Sequence, residues 1–173
     1  MKTKQLILTV VATDKPGIVR QVSDLVHSHN GNWLESSLSR LGGQFVGIIQ
    51  VIISEADVEP LLIALAGLTS QDIEVTPHLL PTENELCASS DATIMDVQVE
   101  ANDRQGIIEE ITTALLAHKI NVEKMSSRCE SASMAGYMLF QADIRVVLPE
   151  AMSASQVQTI LEDMSDDLMV TVL

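Results

Sequence analysis

Two stretches of this chain carry the same pattern 89 residues apart, and that repetition restricts the available folds more than any other feature. Thr13-Asp14-Lys15-Pro16-Gly17-Ile18-Val19 interrupts one apolar run, and Asn102-Asp103-Arg104-Gln105-Gly106-Ile107-Ile108 interrupts another. His29 and Asn32 recur as His118 and Asn121 at the same offset. Four chemically distinct residues in one register mark a duplicated unit. A chain of 173 residues is therefore read as two small domains, 1–81 and 92–173, with a linker over 82–91. Domains of that size bury modest cores. They are expected to pack on each other or to exchange partners through a homodimer.

Within the first unit, Gln5–Ala12 is dense in Leu, Ile and Val and too short for a buried helix, so it reads as a strand. At the break, Asp14 suits an N-cap and Pro16 the first turn of a helix, while Gly17 lets backbone approach backbone or ligand closely. Ile18, Val22, Leu25 and Val26 recur at helical spacing to about His29, and Asn30-Gly31 ends that helix. Trp33, Leu34 and Leu38 lie in a second extended run, and Leu41-Gly42-Gly43-Gln44 signals a hairpin into Phe45–Ile53. Asp57–Leu68 places Leu61, Leu62, Leu65 and Leu68 on one helical face, and Ile73–Thr76 is a short closing strand. The order βαββαβ predicts an α+β, ferredoxin-like unit: a four-stranded antiparallel sheet with two helices on one face.

The second half repeats the plan. Pro77–Asp91 is polar and without period. Ala92–Ala101 reads as a strand, and Ile107, Ile111 and Leu115 mark a helix ending near His118. Asn121–Cys129 and Met134–Val147 form the hairpin. Ser153-Ala154-Ser155-Gln156 is a capping-box start for Val157, Ile160, Leu161 and Met164, and Leu168–Val172 closes the unit.

Charge excludes one class of function. Ten basic residues against 24 acidic ones give −14, with five against eight in 1–81 and five against sixteen in 82–173. Non-specific nucleic-acid binding rests on Lys and Arg neutralising phosphate, so direct DNA binding is not expected. Cys87 and Cys129 form no metal-ligand spacing and read as free thiols of a reducing compartment. No secretory leader and no membrane-length apolar stretch is read, which gives a cytoplasmic expectation and no membrane partner.

The two loops are the candidate sites. A helix N-terminus presents amides and partial positive charge to a carboxylate. Asp14 and Asp103 could answer an ammonium group, and Gly17 and Gly106 would let a small ligand sit against the backbone. An α-amino acid requires that pairing of charges. The plain alternative is that each Asp caps its helix and each Gly permits tight packing. Asn32 and Asn121 open the second strand of each unit, which is expected to lie beside the first strand's C-terminal end. Their amides could reach the same ligand, or satisfy loop backbone.

His27-Ser28-His29 puts two rings on diverging helix faces, so no metal is expected; His29 and His118 suit helix C-termini. No glycine-rich phosphate loop or nucleophile elbow occurs, so no catalytic residue and no cofactor is nominated. Glu162–Asp167 is read as a solvated helix end or a docking surface for a basic partner.

With the loop Asp14-Lys15-Pro16-Gly17-Ile18 and the Gly31-Asn32 opening of the second strand in place, each unit resembles an ACT domain, a family that binds small metabolites to regulate enzymes or transcription. Two copies with nothing else attached, together with Asn32 to Phe45, resemble non-enzymatic tandem ACT repressors. That resemblance implies a repressor that opposes a LysR-type activator by protein contact and is relieved by glycine. A stand-alone ACT subunit that tunes a metabolic enzyme is the other reading. The resemblance nominates Asp14, Gly17, Ile18 and Asn32 in the first copy, and Asp103, Gly106, Ile107 and Asn121 in the second, as ligand-binding residues where neighbouring units pair. The second copy departs from the pattern, with Gln105 for the proline and Ile120 in place of Gly31, so its loop is expected to be less preorganised.

Overall fold

The computed structural model describes residues 2–80, 93–131, 136–150 and 152–173. The chain divides into two compact units, Met1–Cys87 and Ala88–Leu173, and the expected linker lies outside the described residues. The first unit contains β1 (Thr3–Thr13), α1 (Ile18–Ser28), β2 (Asn32–Leu41), β3 (Gln44–Ser54), α2 (Val58–Ala66) and β4 (Ile73–Leu79). The second contains β5 (Thr93–Asn102), α3 (Ile107–Ala117), β6 (Asn121–Ser131), β7 (Met138–Leu148), α4 (Ala154–Glu162) and β8 (Met169–Val172).

Each unit folds as one antiparallel sheet, in the orders β2-β3-β1-β4 and β6-β7-β5-β8. This is the ferredoxin-like arrangement that βαββαβ dictates. Alternation along β1 sends Leu6, Leu8, Val10 and Ala12 to one face, where Ile18, Val22 and Val26 of α1 meet Leu61 and Leu65 of α2. The second core is built alike from Val97, Val99, Ala101, Ile107, Ile111, Leu115, Val157 and Leu161. Burying one such aliphatic side chain is worth about 1.5–3 kcal/mol.

Local chemistry fixes the ends. Ser153 and Gln156 complete the expected capping box, with the Ser153 amide donating to Gln156 Oε1 at 2.8 Å. His29 and His118 are the C-cap residues of α1 and α3, and each Nδ1 lies within 3.0 Å of a carbonyl four residues earlier. β4 runs on through Pro77, longer than the expected Ile73–Thr76. It is an edge strand, where a missing N–H can face away from the ladder.

Gly47, in the middle of β3, faces Leu38 on one side and Val10 on the other. A Cβ there would fall 2.5 Å from the Ser37 carbonyl oxygen and 2.5 Å from Leu38 Cδ2. The edge strand β2 is therefore seated over a bare backbone. The edge strands β2 and β6 each carry a register shift near their start, between Trp33 and Glu35 and between Val122 and Lys124. No helix among the described residues is long and apolar enough to cross a membrane.

Candidate functional site

Each candidate loop leaves the C-terminal end of its unit's first strand. The Asp14 amide donates to the Gly43 carbonyl at 3.0 Å, and the Asp103 amide to the Met138 carbonyl at 2.9 Å. Both aspartates are thus tied to the neighbouring hairpin. Neither caps a helix, contrary to the plain reading. α1 and α3 begin at Ile18 and Ile107 behind Gly17 (φ 96°) and Gly106 (φ 85°), and neither has a side-chain cap. A cap must immediately precede the first helical turn, and the left-handed glycine takes that place. A Cβ on Gly17 would meet nothing within 4 Å, so packing does not demand the glycine. The backbone angle does, and the space above it is open.

What the aspartates touch instead differs between copies. Asp14 Oδ2 lies 2.8 Å from Arg40 Nε at the end of β2. At the matching place in the second unit, the Cys129 thiol donates to Asp103 Oδ1 at 3.4 Å. Arg40 and Cys129 are separated by the same 89-residue offset as the loops. Partial desolvation and then the Asp103 carboxylate push the Cys129 thiol up, so it stays a protonated donor at neutral pH. The first loop therefore holds a cation and an anion side by side; the corresponding pair in the second is an anion and a neutral thiol.

The helix N-termini differ as well. The first helical bonds run from the Gln21 amide to the Gly17 carbonyl and from the Glu110 amide to the Gly106 carbonyl, each at 3.0 Å. Amides of the three preceding residues stand ahead of that ladder and favour an anion. In α1 the first turn has no acidic residue. In α3 it carries Glu109 and Glu110, and Glu110 Oε1 would lie 3.9 Å from a Cβ on Gly106. A carboxylate of the chain thus already stands at the second site. One turn beyond Gly17, Gln21 carries a buried Oε1 with no hydrogen-bond partner.

The second loop carries an ion pair and a hydrogen bond of its own. Arg104 pairs with Glu110 at 2.6 Å, and Asp167 Oδ2 accepts the Asn102 amide at 3.1 Å. Asp167 belongs to the acidic run read as a solvated helix end; it instead pins the strand that enters the loop. The groove here, about 360 Å³, is lined by Asp103, Arg104, Gly106, Arg128, Cys129 and Phe140 among others. The hydrogen bond from Arg104 holds Glu110 below its usual range, so the carboxylate is ionised at neutral pH and opposes a ligand anion. A group whose folded pKa is depressed stabilises the fold above its unfolded value, and loses that contribution as pH falls through the folded one. A carboxyl NMR titration should find Glu110 below an ordinary glutamate, and Arg104→Gln should return it to the ordinary range.

The remaining nominees separate. Ile18 and Ile107 are 2 % and 4 % exposed and belong to the two cores, so only their amides face the loops. Asn32 pairs with Ile52, and Ile52 with Gln5. That is the opposite end of β1 from Asp14, about 30 Å along the strand, and the face away from the helices. Asn121 pairs with Val147, which pairs with Ile94, and is equally remote from Asp103. The expectation that these asparagines lie beside the loop of their own unit is corrected: β2 runs parallel to β1 with β3 between, so the two strands start at one end. Arg40 and Gln21 were not nominated. Hairpin register held the signal for Arg40, since it pairs with Phe45 and Phe45 with Ala12, two residues before Asp14. Among the described residues no group of His, Cys, Asp and Glu is placed to hold a metal.

Residues 4–76 match the family model described as the ACT domain. The match covers most of the first unit, and the second unit repeats its fold and loop pattern. It resembles the glycine cleavage system transcriptional repressor of Escherichia coli strain K12, at 23 % identity over 94 % of this chain and 85 % of the relative. A solved structure of an unknown protein from Galdieria sulphuraria superposes with a TM-score of 0.83, at 23 % identity over 99 % of this chain and 98 % of the other. A crystal structure assigned to a glycine cleavage system transcriptional repressor superposes with a TM-score of 0.71, at 20 % identity over 100 % and 99 %.

Proposed function

We propose that the protein is a non-enzymatic, amino-acid-responsive regulator, a repressor that acts on glycine cleavage genes by touching a LysR-type activator rather than DNA. The carrying observation is the pair Arg40–Asp14, two opposite charges 2.8 Å apart beside a helix N-terminus with no acidic first-turn residue. A free α-amino acid presents the complementary charges. Its carboxylate would take Arg40 and the leading amides of α1, and its ammonium would take Asp14. Opening an exposed ion pair costs about 0–1 kcal/mol, so the pair does not bar the ligand. The relative's name supports the regulatory reading. A formal charge of −14 supports contact with protein over contact with phosphate.

Calorimetric titration with individual amino acids, glycine first, tests the ligand. So small a ligand should bind with micromolar or weaker affinity. Asp103→Ala should leave that binding within about twofold, because Glu110 already stands at its helix. The protein alone should not shift operator DNA, yet should alter the complex of a DNA-bound activator. If no amino acid gives heat, or salt-sensitive binding to naked DNA appears, the reading fails.

A further inference from the structure

The open faces of the two sheets are built from opposite materials. Along β1 and β3, the residues turned away from the helices include Ile7, Val11, Val46 and Ile48. The matching positions of β5 and β7 are Asp96, Glu100, Gln141 and Asp143. On the second face those groups pair largely with one another, although the buried Gln141 Oε1 has no hydrogen-bond partner. Arg145 grips Asp96 with two bonds of 2.8 and 2.9 Å, Gln98 donates to Asp143 at 2.9 Å, and Gln141 donates to Glu100. That face is made for water. One fold tolerates either surface, so the apolar surface of the first unit is not a requirement of the sheet. Ile48, at its centre between Thr9 and Ser37, is 50 % exposed, and Val11 is 39 % exposed.

We propose that this face is the dimer interface, covered by the same face of a second copy of the chain. Three observations select that occupant. The first is area. Four strands of seven to eleven residues present a patch of roughly 600–700 Å², from strand spacing and rise. A stable pair of proteins needs about 800 Å² a side, so such a patch supplies most of it. The second is charge. Two copies at −14 each repel, and they can meet closely only where the middle of the surface is uncharged. The centre here consists of Ile7, Thr9, Val11, Val46, Ile48 and Thr76, while Glu35 and Glu74 stand on the flanking edge strands. The third is shape. Beside the projecting Ile48, and partly walled by it, runs a groove of about 190 Å³ lined also by Ile7, Glu35, Ser36, Ser37, Ile49 and Gln50. A knob next to a hole on one surface is self-complementary about a two-fold axis, the requirement of an isologous interface. Stacked face to face, the sheets would sit about 10 Å apart.

Sedimentation equilibrium of the full chain should show a dimer across micromolar concentrations. Ile48→Glu should raise its dissociation constant at least about 100-fold, since a buried carboxylate would face its own copy, with an unchanged circular dichroism spectrum. Leu116→Glu, at an exposed apolar residue of α3, should leave the dimer intact. If Ile48→Glu does not fold, Thr9→Lys carries the test and should weaken the dimer in the same direction. A wild-type monomer throughout the range overturns the proposal. So does a dimer that survives both substitutions in folded protein, which would place the interface elsewhere. A monomer that loses stability with Ile48→Glu overturns it in favour of a cover supplied from the same chain. Amino-acid titration of the Ile48→Glu monomer separates this interface from the ligand reading, because the Arg40–Asp14 pair is untouched.

Discussion

Replacing Arg40 by alanine should weaken glycine binding by roughly 10- to 100-fold while moving the melting temperature by no more than about 4–8 °C. The two numbers come from different surroundings of one guanidinium. In the free protein, Arg40 is 70 % exposed and its bond to Asp14 is an exposed ion pair, worth about 0–1 kcal/mol. In the complex it would meet the only carboxylate of a ligand with few other contacts. A charge-assisted hydrogen bond there contributes about 1.5–3 kcal/mol. Asp14→Ala should act in the same direction through the ammonium. The double variant should lose less than the sum of the two, because both residues serve one ligand. Arg40→Lys should recover part of the affinity, since it keeps the charge without the planar fork. If titration curves of Arg40→Ala and wild type superimpose, the ion pair is a surface ornament and the ligand lies elsewhere.

Gly47→Val should be the most damaging single change in the first unit, costing about 3 kcal/mol or more. Cβ contacts of 2.5 Å to the Ser37 carbonyl and to Leu38 cannot be relieved by a rotamer change, because one neighbour is backbone. β2 must lift from β3, and Trp33 and Leu38, which pack on the first core, lift with it. Overpacking in a seated core typically costs about 1–3 kcal/mol, and broken ladder bonds add to that. A small domain holds about 5–15 kcal/mol in all. Chemical denaturation with Trp33 fluorescence reports this unit, since it holds the chain's one tryptophan. A midpoint within error of wild type would show that β2 shifts freely, and would weaken the fixed placement of Arg40 as well.

The fold was readable because its signals are local. An apolar run that stops, a helical stripe and a two-glycine hairpin each declare themselves within a dozen residues, and a second copy confirms the reading. The loop was less readable, for two physical reasons. Asp14 looks like a cap because it precedes an apolar helical stripe. Whether it caps depends on the left-handed turn at Gly17, which delays the helix until Ile18. Asn32 looks close to the loop because it follows α1 directly. Its true place depends on the crossover, which returns the chain to the starting end of β1. Arg40 was invisible for the converse reason: it lies 26 residues from Asp14 in sequence and meets it only through the pairing of three strands. Local chemistry names residues, and the strand register decides which of them meet.

The interior position of β3 has a consequence for how the protein fails. Phe45–Ile53 is an almost uninterrupted β-branched and aromatic run without charge or proline, a composition that stacks readily into fibrils. In the native sheet it is flanked on both sides, by β2 and by β1, so no free edge of it is offered to another molecule. If aggregation through that run outpaces refolding once the first unit opens, unfolding becomes irreversible. The working lifetime of the molecule is then set by how seldom the unit opens, and the height of its unfolding barrier matters more than the depth of its native well.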